Sequence, residues 1–372
     1  MSFDGEKLRL GRLFYGWTQA DLGQRVGSSR QYVHQLEIGT KDPSADMRAA
    51  LASALSVNDE FFAKPIRNQV KPEQAHFRSL LTTPLAEKRQ VLAHVTFFEA
   101  LVDLLEQKLE FPDVDLPEFN VENIWAIDRL AEDARQFLGL NPSAPIQNMS
   151  RVLENAGVLV VHFNSIGEKV DALSVSRSRP VVIRSNAKQS VFRQRFDLAH
   201  ELGHLVMHQG VETGDRETEA QANRFASSFL MPREVVHKAF PRQSSVSWDR
   251  IFQYKLKWGV AASAIVRRVH DLNIVDAAQY RLFNIKIAKS GQRKVERYDE
   301  DYPLEKPEIL SQSIQALLDD GRSGIKYLCG AMGVGESFLA RLVGDLFEPV
   351  MQETSSIIPF PASDPKSRKL DS

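Results

Sequence analysis

The run Arg195-Phe-Asp-Leu-Ala-His-Glu-Leu-Gly-His-Leu-Val-Met-His208 constrains this chain more than any other stretch. His200 and His204 stand four residues apart. On a helix of about 3.6 residues per turn, that spacing sets both imidazoles on one face, one turn apart. Two neutral imidazoles so placed can close on one zinc ion at about 2.0–2.1 Å each. Glu201 lies roughly 100° further round the helix, too far to join them as a ligand. It can still reach a metal-bound water, which is the general-base position of the His-Glu-x-x-His pattern. Phe192, Phe196, Leu198, Ala199, Leu202 and Leu205 recur at helical spacing, so the motif is expected on a buried helix. Two core histidines that happen to share this spacing are the plain alternative.

A catalytic zinc needs three protein ligands and an open position. His208 continues the four-residue series, but with a rise of about 1.5 Å per residue it sits about 12 Å along the axis from His200. One ion cannot hold both. Met207 and Gly210 occupy the Gly and final His positions of the longer HExxHxxGxxH pattern, so that pattern fails as well. The third ligand is therefore expected in the next helical stretch, Glu217-Thr-Glu-Ala-Gln-Ala-Asn-Arg-Phe-Ala-Ser-Ser-Phe-Leu-Met-Pro232. Its apolar stripe runs through Ala222, Phe225, Ala226, Phe229 and Leu230, and Glu219 belongs to that stripe. Glu217 points away and reads as solvated. A carboxylate on a buried face must be paired or metal-bound, so Glu219 is the expected third ligand. Asn223, one turn on, is placed to orient a ligand from behind.

These two motifs together resemble the ImmA/IrrE metallo-endopeptidases of bacteria and their mobile elements, over roughly residues 120 to 240. The resemblance implies a zincin-like fold, zinc on His200, His204 and Glu219, and Glu201 as catalytic base. It also implies a helix-turn-helix repressor as the protein cleaved, in response to stress. Near the N-terminus, Thr18-Gln-Ala-Asp-Leu-Gly-Gln-Arg-Val-Gly27 followed by Ser-Ser-Arg30-Gln-Tyr-Val-His-Gln-Leu-Glu37 reads as helix, glycine turn and helix. This order is similar to the lambda-repressor-like (XRE) DNA-binding domains. On that likeness Arg30, Gln31 and Gln35 face outward to read bases, and Gln19 meets a phosphate or base edge. Residues 1–65 carry eight basic and eight acidic side chains, so the non-specific electrostatic attraction to DNA is expected to be weak.

The remaining sequence fits around these two modules. A chain of 372 residues has room for two or three domains. The expected divisions are a helix-turn-helix domain (1–62), a helical connector (63–118), a peptidase-like domain (119–240), a helical C-terminal region (241–350) and a disordered tail (351–372). The expected class is mainly α with a small β-sheet. A helix is expected over His76–Glu110, as a spacer or a homodimer contact. Strands are expected over 157–163, 172–176 and 180–184, with Val181–Arg184 as the sheet edge that would pair with extended substrate. Arg177, Arg179, Arg184, Arg193 and Arg195 make this region locally basic. The helix pair at 248–258 and 261–272 is expected to pack on the peptidase, and 281–297 to be basic and exposed.

The 47 Lys and Arg against 48 Asp and Glu give no global charge that announces a nucleic-acid binder. One cysteine, Cys329, excludes an internal disulfide and suits a reducing cytoplasm. No apolar run approaches the roughly 18 residues of a membrane span. The function these features imply is a DNA-binding zinc endopeptidase that acts on a regulator protein. A non-proteolytic regulator or antitoxin, whose peptidase-like domain senses a ligand or docks a toxin partner, is the rival. The intact Glu201 favours the enzyme.

Overall fold

The computed structural model describes residues 2–63, 69–70, 75–77, 84–163, 172–175, 179–185, 190–211, 213–241, 246–292, 295–319 and 322–343. Polar caps start each of the first helices. Asp4, Thr18, Ser29 and Ser44 accept backbone N–H bonds at the heads of α1 (Gly5–Phe14), α2 (Gln19–Arg25), α3 (Arg30–Glu37) and α4 (Ala45–Leu55). Each cap satisfies N–H groups that the helix itself cannot. A 3-10 turn, Asp59–Phe62, closes the domain. The turn between α2 and α3 is tight enough to require Gly23, where a Cβ would lie 2.8 Å from the Ser28 carbonyl oxygen.

The connector departs from the expected single helix. α5 spans Leu85–Glu106, and Ala75–Phe77 forms a strand, β1. Pro84 stands at the head of α5 with ψ at 142°. It has no N–H to give, and extended backbone there ends any helix arriving from His76. Beyond the connector come α6 (Ile127–Phe137), α7 (Met149–Asn155), β2 (Leu159–Phe163), β3 (Ala172–Val175) and β4 (Val181–Ser185).

The sheet order is β1-β3-β4-β2. β3 runs antiparallel to both β1 and β4, while β2 and β4 are parallel. The segment Val181–Arg184, expected as an edge, is therefore an interior strand, held by β3 on one side and β2 on the other. Alternation along the strands divides the two faces. Leu159, Val161, Leu173, Val175, Val181 and Ile183 face one hydrophobic core, and Val160 and Val182 face another. Burial on both faces explains why these strands read as apolar runs.

The second core holds α6 and α7 with α8 (Val191–Met207), α9 (Arg216–Leu230), α10 (Arg233–Ala239), α11 (Trp248–Trp258) and α12 (Ala262–Asp271). The helix pair α11–α12 packs there, as expected. α13 (Ala277–Lys289) is mostly exposed and carries the first half of the basic stretch. The last helices, α14 (Ile309–Asp319), α15 (Arg322–Met332) and α16 (Glu336–Val343), join α1–α5 in the first core. Phe14 stacks on Phe338 at 4.4 Å between ring centroids, and Val57 bridges to Val334. The architecture is mainly α with a small sheet between two cores. No helix among the described residues is long and apolar enough to cross a membrane. The tail expected from 351 lies outside the described residues.

Of the locally basic arginines, Arg177 also lies outside them. Arg179, Arg184, Arg193 and Arg195 turn to Glu106, Asp197, Glu296 and Glu305. They tie elements together, each of the four paired with a carboxylate.

Candidate metal centre and DNA-facing surface

α8 crosses beneath the sheet with fourteen of its seventeen residues buried. Its closest helical neighbour is α9, and Gly203 permits the approach: a Cβ there would meet the Phe225 ring at 3.0 Å. That contact lays the first two turns of α9 across the middle of α8. His200 and His204, both fully buried, then face Glu219, whose side chain keeps 19% of its exposure. One donor atom from each of the three falls within 4.8 Å of the others. His200 Nε2 and His204 Nε2 are 3.1 Å apart. Glu219 Oε2 lies 3.5 Å from the first, and its Oε1 lies 3.4 Å from the second. Ligand atoms on a tetrahedral zinc with bonds of about 2.0–2.1 Å stand roughly 3.3–3.4 Å apart. The donor set fits such an ion in spacing and in chemistry.

Hydrogen bonds behind the imidazoles define which nitrogen faces the cluster. Asn223 Nδ2 donates to the Glu219 carbonyl at 2.7 Å, which turns Asn223 Oδ1 toward His200 Nδ1 at 3.2 Å. His200 thus donates from Nδ1 and keeps a lone pair on Nε2. Behind His204 the chain is longer. Gln221 Nε2 donates to Glu217 Oε1 at 3.3 Å, so Gln221 Oε1 accepts from His208 Nε2 at 2.7 Å. His208 Nδ1 is then left to accept from His204 Nδ1 at 2.9 Å. Burial holds the His208 pKa below its ordinary value, against the pull of the Gln221 hydrogen bond, in keeping with a neutral ring. Supports of this kind orient metal-binding histidines and raise their basicity.

Glu201 is fully buried beside the cluster. Ser174, on β3, is also fully buried and donates its hydroxyl to Glu201 Oε2 at 2.7 Å. A buried carboxylate next in sequence to one of the three candidate donors is of the type that accepts a proton from water. Beneath it, Arg184 Nε and Asp197 Oδ2 form a buried pair at 3.7 Å that links β4 to the first half of α8.

The structure thus brings together His200, His204, Glu219 and Asn223, sets the buried Glu201 on the helix of the two histidines against Ser174, and leaves Glu217 exposed. Ser174, His208 and Gln221 escape a sequence reading in these roles. Ser174 lies in an otherwise apolar strand, and an isolated serine there carries no signal. His208 was visible, yet only as a failed ligand.

On the helix-turn-helix domain, Arg30 and Gln31 are exposed at the start of α3, and Gln35 is half-buried one turn on. His34 is exposed with them. Gln19 is turned inward: its Nε2 donates to Glu37 Oε2 at 2.7 Å and lies 3.3 Å from His34 Nδ1. Glu37 is itself buried and accepts from Arg12 Nε at 2.5 Å and Nη2 at 3.1 Å. Gln19, Arg30 and His34 line one groove with Arg9 and with Arg89 of α5.

Comparison with known families matches two segments of the chain. Residues 153–270 match the IrrE N-terminal-like domain of the M78 peptidases. Residues 8–62 match the helix-turn-helix family. The two matched segments, in this order, match the ImmA/IrrE architecture. The M78 match takes in β2–β4, both metal-site helices, α10 and nearly all of the α11–α12 pair, while β1, α6 and most of α7 lie before it. No curated protein matches the sequence. The chain is thus a helix-turn-helix protein of DNA-binding type with a domain of a metallopeptidase family.

Proposed function

We propose that this ImmA/IrrE-type chain is a DNA-binding zinc endopeptidase that regulates transcription by cutting a regulator protein, most directly a helix-turn-helix repressor. The observation that carries the reading is the convergence of three donor side chains, with 3.1–3.5 Å between the two imidazole nitrogens and from each to a Glu219 oxygen, and a buried, serine-held carboxylate on the helix of the two histidines. His200, His204 and Glu219 are the proposed ligands and Glu201 the proposed general base. A zinc ion held there would supply Lewis acidity, bringing a water's pKa toward about 7 and polarising the scissile carbonyl. Glu201 takes the proton from the attacking water onto its carboxylate and returns it to the leaving amine. Ser174, through Oε2, fixes the rotamer in which that carboxylate faces the reacting water. Asn223 and His208 keep both imidazoles presenting Nε2. Arg30, Gln31 and Gln35 are the proposed base-reading residues of α3, with His34 beside them.

The deciding experiment is Glu201→Gln in the zinc-loaded full chain, assayed on fluorescein-labelled casein and, in the cell, on transcript levels of the regulated genes. The amide keeps size and hydrogen bonding but accepts no proton from water at neutral pH. Cleavage is expected to fall at least about 100-fold, with zinc content and DNA binding unchanged. Undiminished cleavage would remove Glu201 from the general-base role, and full regulation by the Glu201→Gln chain would establish the non-proteolytic regulator instead.

A further inference from the structure

β3 is the strand that meets the candidate base, through the bond from Ser174 to Glu201. An extended peptide binds beside such a site by adding a strand to an open sheet edge, with its main chain supplying the hydrogen bonds. One side of β3 is taken by β4. The other side is the edge that would receive substrate, and β1 fills it. The pairing is antiparallel, with Ala75 opposite Val175, His76 opposite Ser174 and Phe77 opposite Leu173. The centre of β1 thus stands opposite the residue that holds Glu201. β1 belongs to the connector between the helix-turn-helix domain and the peptidase-like domain.

We propose that β1 is a built-in occupant of the substrate edge: the chain's own connector lies where a substrate strand would lie and keeps the site closed until it is displaced. The inference rests on the peptidase reading above. A strand carried on the same chain competes at an effective concentration of about millimolar order, so it excludes dilute peptides. Among the described residues it makes three residue pairs with β3, and a strand with more pairs can exchange with it. The tether also has a direction. On its C-terminal side β1 leads into α5, which packs against α1, α15 and α16. Movement of the DNA-binding end relative to α5 therefore acts on the connector that carries β1. Release of the strand is the step at which the state of the helix-turn-helix domain is passed to the peptidase-like domain.

The test uses the full chain carrying Ala75→Pro and Phe77→Pro, which removes ladder N–H groups from β1. A second variant pairs Ala75→Cys with Val175→Cys, directly opposed positions within reach of a disulfide. The probe is a fluorescent synthetic peptide of residues 69–83, followed by anisotropy in a Glu201→Gln background so that it is not cut. The proline variant is expected to bind this peptide at least about 100-fold more tightly than the parent chain. The oxidised cysteine pair should not bind it, and reduction should restore the parent behaviour. With Glu201 intact and zinc bound, casein hydrolysis should rise at least about 10-fold in the proline variant and cease in the oxidised pair. Equal peptide binding by the parent, proline and oxidised chains overturns the inference. Stronger binding by the proline variant with no hydrolysis by any form overturns the peptidase reading and leaves the strand exchange standing. Amide exchange in α8 reports whether the proline variant folds. If it does not, the cysteine pair decides, and identical binding before and after reduction counts against the proposal.

Discussion

The tautomer of His204 is set by a chain of three side chains that starts at Glu217. Glu217 orients the Gln221 amide, Gln221 orients His208, and His208 accepts the proton-bearing side of His204. His208→Phe keeps the ring but removes that acceptor. Zinc affinity is expected to fall about 10–100-fold, read by competition with a chromophoric chelator, while circular dichroism stays unchanged. The two glutamates of α9 give a sharper contrast. Glu219→Gln should empty the site in equilibrium dialysis, and Glu217→Gln should leave about one zinc per chain. A reversal of that pattern would reassign the third ligand. Sequence pattern alone already separated these two carboxylates, because Glu219 shares the apolar stripe of α9. It could not reveal Ser174, since the partner of an isolated strand serine depends on which helix crosses the sheet at that point.

At the scale of the element, α3 divides cleanly between structure and recognition. Its inner face ends in Glu37, which is buried against Arg12 and also holds Gln19. Glu37→Ala leaves a buried guanidinium without its carboxylate and should cost about 3 kcal/mol in urea unfolding. Gln31→Ala, on the exposed face, should leave stability within about 0.5 kcal/mol. It should instead reduce the preference for a promoter duplex over a scrambled one by about 1–3 kcal/mol. An equal loss of stability in both variants would mean that the faces are misassigned. Gln19 belongs by its contacts with Glu37. The likeness to XRE domains sets it at the DNA-facing end of α2, and only the partner helix shows that its amide is already engaged.

Across the whole molecule, the first and last helices share a core, and α5 is the seam between them. His94 of α5 is buried there, against Phe14, with Nε2 donating to the Leu342 carbonyl at 3.0 Å. Burial pushes its pKa down to about 4, with the nearby Arg341 adding to the effect and the carbonyl bond opposing it. His162 of β2 is likewise lowered to about 4 by burial and by Arg184. Both rings are neutral in the fold and have an ordinary pKa near 6.5 when unfolded. Between pH 6.5 and 4 the unfolded chain therefore binds more protons, so stability is complete above that window and falls as the pH drops through it. For His94 the loss amounts to roughly 3 kcal/mol by pH 4. Urea midpoints measured from pH 7.5 down to pH 4.5 should show this decline, and His94→Gln should flatten part of it. An unchanged slope in His94→Gln would remove the seam from the pH response.

What the sequence alone determined are the features written within one helix or one turn. The four-residue spacing of His200 and His204, the neighbouring Glu201, the stripe position of Glu219 and the capped helices of the first domain all follow from a period of about 3.6 residues and from backbone N–H groups in need of partners. Tertiary structure decided whatever depends on two distant segments meeting. It placed Val181–Arg184 inside the sheet, because β2 pairs on its far side, and it gave the outer edge of β3 to three connector residues. It also carried α14–α16 back to the helix-turn-helix domain. Apolar periodicity says that a face is buried but does not name the surface that buries it, and that choice is made only when the whole chain packs.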